Sequence, residues 1–539
     1  MLAYWMMVDN SGRMETQGAS VAQTRGWNPV LRPFQPPQLS RDDSEVFDAL
    51  VRRDHWVRRA EEHADFLKLR QCIERLYRAD FGCPGVEPVL LIKLELLMYH
   101  DNLSDTQVFR RVETDLAYRW FLGLGRDDHL PDLSTLGRFR TRIGAEGHKA
   151  LFHALLEQAR EHGLVKDRLR IKDATHVVAD IAVPAGLTLV AQARNRLLSA
   201  AQPFDVERTT GERIRIETIR TSTDGRADDV RLIARIEHLR DILAWANAIE
   251  PPPDADTNPT WQKLVQARDI AHKTLAGHDD PQAGGKLRSV FDPDARRGRH
   301  GEFYDGYMLD VTIDADSELF TAINVLPANG NESADALELI SQETSAHGNT
   351  IEQLSIDGAG YNGPVLRELE DEDGPNIDVF VPPKADGQPS RFSPDEFELS
   401  EEGSQVTCPA GEKSQYRQRD ESQHTTAYRF NAEVCHSCPL MKSCIGRPQK
   451  QGRTVRKNDY TPEYDRVRER AKTSEYAAVK HEHPKVERRL GHLVNRHGSR
   501  RARYRGRARV LSQQFLAATT ANLNRMIRIL DDRIAVAFG

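Results

Sequence analysis

Long apolar runs are absent from this 539-residue sequence. No stretch of about 18 consecutive apolar residues occurs, so no membrane-spanning helix is predicted. The first 20 residues include a short apolar stretch, but they lack a preceding basic segment and a clear cleavage site, which excludes a typical secretory signal. No internal repeat is present. The composition and length therefore predict a charged, globular protein that forms two or more packed units.

An overall excess of positive charge is also absent. The formal net charge is −6, which weighs weakly against nucleic-acid binding when the chain is taken whole. The distribution is uneven, however, because residues 485–509 hold ten Lys or Arg against one acid, Glu487. Such a dense basic segment suits contacts with DNA phosphates. A solvated basic tail is the alternative interpretation.

The N-terminal part of the chain is predicted to be helical. Residues 1–40 have the composition of a flexible tail, whereas residues 41–160 carry apolar residues at helical spacing and form an N-terminal all-α domain. Ser104 is a candidate N-cap, with Gln107 completing a capping-box pattern.

A later helix of this domain is predicted to begin at Ser134 as its N-cap. It carries three arginines, Arg138, Arg140 and Arg142. Short capped helices of this kind resemble helix-turn-helix DNA readers, so these arginines are candidate DNA contacts. A small helical packing domain without DNA contacts is the alternative.

From about residue 168 the pattern changes to strands. It predicts three strands, a helix, a strand, a second helix and a fifth strand, in the segments RLRIKDATHVVADIAV, GYMLDVTIDADSEL, FTAINVLPAN, ESADALELISQETSAH, TIEQLSIDGAGYNG, NGPVLRELEDED and NIDVFVPP. This order is that of the ribonuclease-H-like fold, a mixed α/β sheet flanked by helices. The catalytic domain is expected over residues 165–535.

Two insertions are expected to interrupt this domain. The first, residues 190–290, is helical, and Leu232, Ile236, Leu239 and Leu243 share one helical face in it. The second, residues 385–460, is polar and carries four of the six cysteines.

Three acids stand out by their positions. Asp173 lies inside an apolar strand, where an unpaired carboxylate is costly to bury. Asp357 closes the fourth strand, just before a glycine-rich turn, and Glu487 lies in a predicted helix of the basic segment. Each acid taken alone is more often ion-paired or solvated.

Together, the three acids predict a metal site. The first and fourth strands are adjacent in this fold, so Asp173 and Asp357 are expected side by side, where a divalent cation relieves their repulsion. Glu487 completes an all-oxygen set suited to Mg²⁺ or Mn²⁺. Two such ions about 4 Å apart activate a water or 3′-hydroxyl and stabilise the leaving oxygen of a phosphodiester.

The cysteines of the second insertion form a separate candidate metal site. Cys435 and Cys438 are a C-x2-C pair, Cys444 follows, and Cys408 lies upstream. Four thiolates hold a structural Zn²⁺ tetrahedrally. Reduced free thiols are the alternative, and disulfides are not expected in a cytosolic protein.

Five motifs occur in the order found in one family: LSDTQVFRRVETDLAYRWFLGLG, LPDLSTLGRFRTRIG, KDATHVVADIAVP, SIDGAGYNG and PKVERRLGHLVNRHGSRRARYRGRARV. Over most of residues 80–530 the chain resembles insertion-sequence DDE transposases, which have an N-terminal helical domain and a ribonuclease-H-like catalytic core. The resemblance places the family's three catalytic acids on Asp173, Asp357 and Glu487.

The resemblance implies a cytoplasmic, nucleoid-associated enzyme that acts as a homodimer on double-stranded DNA. It implies binding of terminal inverted repeats, metal-dependent cleavage with two Mg²⁺ or Mn²⁺ ions, and joining of 3′-hydroxyls to target DNA. The candidate phosphate contacts are Arg138, Arg140, Arg142, Arg488, Arg496, Arg500, Arg501, Arg503 and Arg505.

The sequence departs from the family around the third acid. Many relatives surround this glutamate with a Tyr, an Arg and a Lys, but Lys480, His483 and Val494 occupy those places here. Either Arg488 or Arg496 supplies the missing phosphate contact, or the contact is absent. Two other functions stay open: a nuclease on the same fold, and a catalytically silent DNA-binding protein, against which the retained acids count.

Overall fold

The computed structural model describes residues 30–78, 85–280, 285–384, 392–447 and 449–538. The chain divides into two compact units. The described residues of the first are 30–31, 77–78, 182–280 and 285–293, and the remainder belongs to the second. Most of the expected N-terminal tail, residues 1–29, lies outside the described residues, and residues 31–40 contain no helix or strand.

The predicted helical region of the second unit consists of seven helices. Their bounds are α1 (Arg41–Leu50), α2 (Trp56–His63), α3 (Phe66–Ile73), α4 (Pro88–His100), α5 (Asp105–Thr114), α6 (Leu116–Leu122) and α7 (Leu133–Glu161). The capping box at α5 is confirmed, because Ser104 and Gln107 exchange side-chain and backbone hydrogen bonds. These helices confirm the expected helical N-terminal region.

The predicted N-cap of α7 is wrong by two residues. Asp132, not Ser134, caps the helix, and its Oδ1 accepts a hydrogen bond from the Ser134 backbone N–H at 2.8 Å. Both side chains are competent caps, but an aspartate that comes first in the chain satisfies the free N–H groups of the first turn, so the helix begins at Leu133. α7 is kinked at Gly144, whose φ is 56°.

The first unit is built mainly from four helices, α8 (Gly186–Ala201), α9 (Val206–Ser222), α10 (Asp228–Asn247) and α11 (Pro259–Asp279). The predicted apolar face of α10 is confirmed: Ile236, Leu239 and Leu243 are buried in the core of this unit and Leu232 packs against it.

A six-stranded mixed sheet forms the centre of the second unit. Its strands are β1 (Leu169–Val178), β2 (Arg296–His300), β3 (Glu302–Asp314), β4 (Phe320–Pro327), β5 (Gln353–Ser355) and β6 (Asp378–Phe380). β3 is antiparallel to β1, β2 and β4, whereas β5 is parallel to both β1 and β6. The five predicted strands are thus present, together with α12 (Glu332–His347) and α13 (Gly363–Leu369).

β2 was not predicted from the sequence. Its residues, RRGRH, are largely exposed and lack the alternation of apolar and polar side chains that marks a strand. The strand exists because it pairs with β3 across a tight turn at Gly301, whose φ of 71° favours glycine.

Residues 392–458 contain short elements around a small core. They are β7 (Glu398–Leu399), β8 (Val406–Thr407), β9 (Tyr416–Asp420), β10 (Thr425–Arg429), α14 (Ala432–Ser437), α15 (Met441–Cys444) and β11 (Thr454–Asn458). The buried apolar residues of this core are Phe397, Val406, Tyr428, Phe430 and Val455.

Four helices follow: α16 (Thr461–Arg470), α17 (Ser474–Glu482), α18 (Pro484–Arg496) and α19 (Arg507–Phe538). α19 packs against α4, α7 and β4, and α18 packs against β1. Three single turns of 3₁₀ helix occur at Glu74–Leu76, Gly358–Gly360 and Pro394–Glu396. Among the described residues, no helix combines the length and the apolar character needed to cross a membrane.

Two buried cations fix β1 within the sheet. The fully buried Arg170 guanidinium donates to Glu343 of α12 at 2.6 Å and to Asp314 of β3 at 2.9 Å. Lys172 pairs with the buried Asp310 at 2.8 Å. Removing one partner from a buried pair of this kind costs about 3–5 kcal/mol, so these contacts strongly constrain where β1 lies.

Candidate active site

The pairing of β1 with β5 brings two of the predicted acids into register. The ladder pairs Leu169 with Gln353 and Ile171 with Ser355, a constant offset of 184 residues (353 − 169). Asp357 follows Asp173 by the same 184 residues (357 − 173). The ladder itself ends at Ile171 and Ser355, and each acid follows two residues later, so the β1–β5 pairing directs both acids toward the carboxyl end of β5.

The turn after β5 determines the orientation of Asp357. The chain enters a single 3₁₀ turn, and the Asp357 Oδ1 accepts a hydrogen bond from the Ala359 backbone N–H at 2.9 Å. Asp357 is exposed. This carboxyl group is therefore oriented by a backbone hydrogen bond while it stays accessible to solvent.

The third acid comes from a helix. Glu487 lies in the first turn of α18, which packs against β1. It is exposed, and within the described residues it makes no hydrogen bond or ion pair. A carboxylate in the first turn of a helix is favoured by the helix dipole, so its position costs little free energy.

The Asp173 carboxyl lies within range of the charges of the other two acids. Burial raises the pKa of the half-buried Asp173 to about 6, and the charges of Asp357 and Glu487 act in the same direction, whereas a hydrogen bond from the Ala174 backbone N–H opposes the rise. The charges of two acids distant in the sequence thus reach Asp173. Asp357 and Glu487 thus lie near enough to Asp173 for their charges to act on it.

None of these acids has a cationic side-chain partner in the described part of the chain. This differs from the buried acids nearby, since Asp314 and Glu343 are paired with Arg170 and Asp310 with Lys172. Oxygen donors that form no ion pair with a protein cation are suited to a divalent cation. As placed, however, no group of three or more His, Cys, Asp or Glu residues among the described ones is arranged to hold an ion.

A polar cavity of about 420 Å³ adjoins the acids. Ala174 and Ala359, which line it, neighbour Asp173 and Asp357 in the sequence. Basic and aromatic side chains line it as well: His176, Arg299, His300, Tyr304, Tyr361 and Lys384. A cavity lined by basic and aromatic groups can accept a phosphodiester together with its base or sugar.

Glu332 is a fourth carboxylate that the sequence reasoning missed. It is the first residue of α12, lines the cavity and is half-buried. Burial raises the pKa of Glu332. The positive charge of Lys172 opposes this rise, and the negative charge of Asp357 adds to it. The only sequence signal for it is its place at a helix N-terminus, where acids are common for reasons unrelated to catalysis.

Lys480 and His483, the departures from the family pattern, lie beside β5. The Lys480 Nζ donates to the Ile356 carbonyl at 3.0 Å, and the His483 ring is 3.0 Å from the Ser355 hydroxyl. Burial lowers the pKa of Lys480, while the Asp357 charge opposes that shift. Burial and the Lys480 charge lower the pKa of His483 to about 4. Both side chains support the strand that positions Asp357.

Several of the arginines predicted to contact DNA are bound to protein groups. Arg140 is mostly buried and pairs with Glu95 and Asp105, both at 2.7 Å. Arg503 donates to the Leu103 carbonyl at 2.6 Å and to Asn102 at 2.7 Å. The ion pairs of Arg140 hold α7 against α4 and α5. The hydrogen bonds of Arg503 hold the basic segment against the loop between α4 and α5.

The remaining arginines lie at or near the surface. Arg500 donates to Thr175 and to the His176 carbonyl, beside the cavity. The partners of three others are Thr135 for Arg138, Glu318 for Arg488 and Asp180 for Arg505. Arg142 is half-buried, and Arg496 and Arg501 are exposed without a side-chain contact among the described residues. Contact of any of them with DNA stays a prediction.

The four cysteines of the second insertion lie together and apart from the acids. Cys408, Cys435, Cys438 and Cys444 line one small cavity. Burial raises the pKa of the Cys444 thiol, the Arg453 charge lowers it, and the other three thiols raise it.

Two family models match the chain. The model described as Transposase DDE domain matches residues 407–527, and the model described as Transposase domain (DUF772) matches residues 45–142. The first match contains Glu487 and the four cysteines but neither Asp173 nor Asp357. No curated protein and no solved structure matches the chain significantly.

In the presence of EDTA, Asp173→Asn is expected to raise the free energy of unfolding at pH 7.5 but not at pH 4. The pKa of about 6 in the folded chain lies above the ordinary 3.8, so the native chain loses stability as the pH rises through this interval. Asparagine removes the buried charge, and we expect a gain of about 1–2 kcal/mol at pH 7.5. Urea unfolding of the full chain at both pH values measures it.

The matched control is Asp532→Asn, which removes an exposed carboxyl on α19. It is expected to change stability little at either pH. An equal gain from Asp173→Asn at both pH values would show that the Asp173 carboxylate is not destabilised by burial and its neighbours.

Proposed function

The chain belongs to the insertion-sequence DDE transposases, and from this premise we propose that it binds the terminal inverted repeats of its element. It cuts the DNA at their ends and joins the freed 3′-hydroxyls to target DNA. The observation that carries the proposal is the convergence of Asp173, Asp357 and Glu487, which have no cationic partner among the described residues.

The proposed fold of the catalytic domain is ribonuclease-H-like. The order β4-β3-β1-β5-β6 within the sheet supports it, with the first three strands antiparallel and the last two parallel to β1 and to each other. In this arrangement the carboxyl end of β5 pairs with Ile171, two residues before Asp173, and α18, which packs on β1, adds the third acid.

The proposed metal ligands are the three acids, which would hold two Mg²⁺ or Mn²⁺ ions; DDE transposases generally use divalent metals. When bound, these ions activate the attacking water or hydroxyl and stabilise the leaving oxygen. The protein contributes fixed oxygen donors: β1 and β5 hold Asp173 and Asp357 on one sheet face. With a pKa of about 6, the Asp173 carboxyl is mostly ionised at neutral pH and available as a ligand.

We assign the DNA strand to the polar cavity beside the acids. Arg299, His300 and Lys384 supply positive charge and hydrogen-bond donors there, and Tyr361 supplies an aromatic face. The exposed Arg496 and Arg501 extend the basic surface of the same unit. Double-stranded DNA is thus the proposed partner, bound by a homodimer in a cytoplasmic, nucleoid-associated complex.

Asp173→Asn, Asp357→Asn and Glu487→Gln are each expected to reduce cleavage and joining by more than about 100-fold, because each removes a charged oxygen donor from the metal site. The assay uses labelled DNA that carries the element's own ends, with Mg²⁺ or Mn²⁺. DNA binding should survive in all three variants. Asp316→Asn, which breaks only an exposed pair with Arg168, is the control and should keep its activity.

The outcomes separate three functions. Joined products that vanish in the variants support the transposase. Cleavage without joining by the native chain would instead identify a nuclease on the same fold. Sequence-specific binding with neither product would identify a catalytically silent DNA-binding protein.

The double variant Arg496→Ala/Arg501→Ala is expected to weaken DNA binding and to flatten its salt dependence. Each lost phosphate contact reduces the slope of log K against log salt by about 0.9, so the pair reduces it by about 1.8. Binding measured by fluorescence anisotropy at several salt concentrations gives this slope. The control is Arg226→Ala/Lys263→Ala, two exposed cations of the first unit. An unchanged slope in the first variant would remove these arginines from the DNA interface.

A further inference from the structure

Four cysteines that are not part of the proposed catalytic site converge on one point. Cys408 follows β8, Cys435 lies within α14, Cys438 is the C-cap of that helix, and Cys444 is the last residue of α15. All four are free thiols. They line the same cavity although the first and last are separated by 36 residues (444 − 408).

The cavity has a volume of about 30 Å³, which is enough for one water molecule or one ion. Apart from the thiols, mainly apolar side chains line it, among them Phe397, Phe430 and Ile445. A buried water needs two to four polar partners, which apolar side chains do not provide. Four sulfur atoms around a cavity of this size are instead the donor set that Zn²⁺ prefers.

Two of the sulfurs accept hydrogen bonds from backbone N–H groups. The Leu440 N–H donates to Cys438 Sγ and the Arg453 N–H donates to Cys435 Sγ, both at 3.4 Å. The Arg453 guanidinium also reaches the Cys444 carbonyl, at 3.5 Å, which places a positive charge at the edge of the cavity. Such outer hydrogen bonds orient the ligands of a metal and offset the charge of thiolates.

The surrounding segment has little else to stabilise it. The core of residues 392–458 contains five buried apolar residues, and Cys408, Cys435 and Cys444 pack against it. A core this small contributes only a few kcal/mol, and small folds of this kind usually need a metal or disulfides.

We propose that Cys408, Cys435, Cys438 and Cys444 bind one structural Zn²⁺ ion. Four protein ligands leave no open position for substrate, so the ion stabilises the segment and does not catalyse. Because no group of ligands among the described residues is already arranged around an ion, binding draws the thiolates into the cavity that they share. The ion then fixes the segment that connects the second acid, Asp357, to the third, Glu487.

Metal analysis of the full chain, purified without chelators, tests the proposal. We expect about one zinc ion per chain, retained after dialysis. The variant Cys435→Ser/Cys438→Ser should lose the zinc, whereas Cys72→Ser, which removes a free thiol of α3, should keep it.

The native chain provides the deciding measurement, because misfolding of the double variant would also abolish zinc binding. Titration of the zinc-free native chain with Co²⁺ should give the intense visible bands of tetrahedral cobalt and thiolate-to-cobalt charge-transfer absorption, and Zn²⁺ should displace both. A native chain that holds no zinc, or that shows only octahedral cobalt without charge-transfer bands, overturns the proposal.

Discussion

The pairing of charges along β1 is the constraint on which the second unit depends. Arg170 and Lys172 are buried in this strand, and each is matched by acids from β3 or α12. Leaving such a charge unpaired costs several kcal/mol, so these pairs fix the strand against its neighbours. Asp173 is the next residue and has no such match among the described residues. The same strand therefore combines two ion-paired buried cations with one carboxylate that forms no ion pair among the described residues.

The parallel pairing of β1 with β5 gives that carboxylate its neighbours. Asp357 and Asp173 each follow the last pair of this ladder by two residues, and the packing of α18 on β1 brings the charge of Glu487 within reach. The proposed site therefore depends on sheet register and on one helix contact, although its three acids are spread over 314 residues (487 − 173). The long segments between the acids do not alter the pairing of β1 with β5.

Local patterns in the sequence predicted the elements well and the long-range contacts poorly. Strand-like runs of apolar residues predicted β1, β3 and β4, and helical spacing predicted α12. These predictions succeeded because each signal lies within a single segment of the sequence. β2 and the cap at Asp132 were missed, since an exposed arginine-rich strand has no such pattern and two neighbouring residues were both suitable caps. The ion pairs of Arg140 join residues 35 and 45 positions apart, which no local pattern reveals.

The central claim is that three acids distant in sequence form one divalent-cation site. Cleavage of the backbone by hydroxyl radicals, generated from Fe²⁺ bound in place of Mg²⁺, tests it most directly. Mass spectrometry of the fragments should locate cuts near Asp173, Asp357 and Glu487, and excess Mg²⁺ or Asp173→Asn should suppress all three together. Cuts near only one of these acids, or cuts that Asp173→Asn leaves unchanged, would contradict the account.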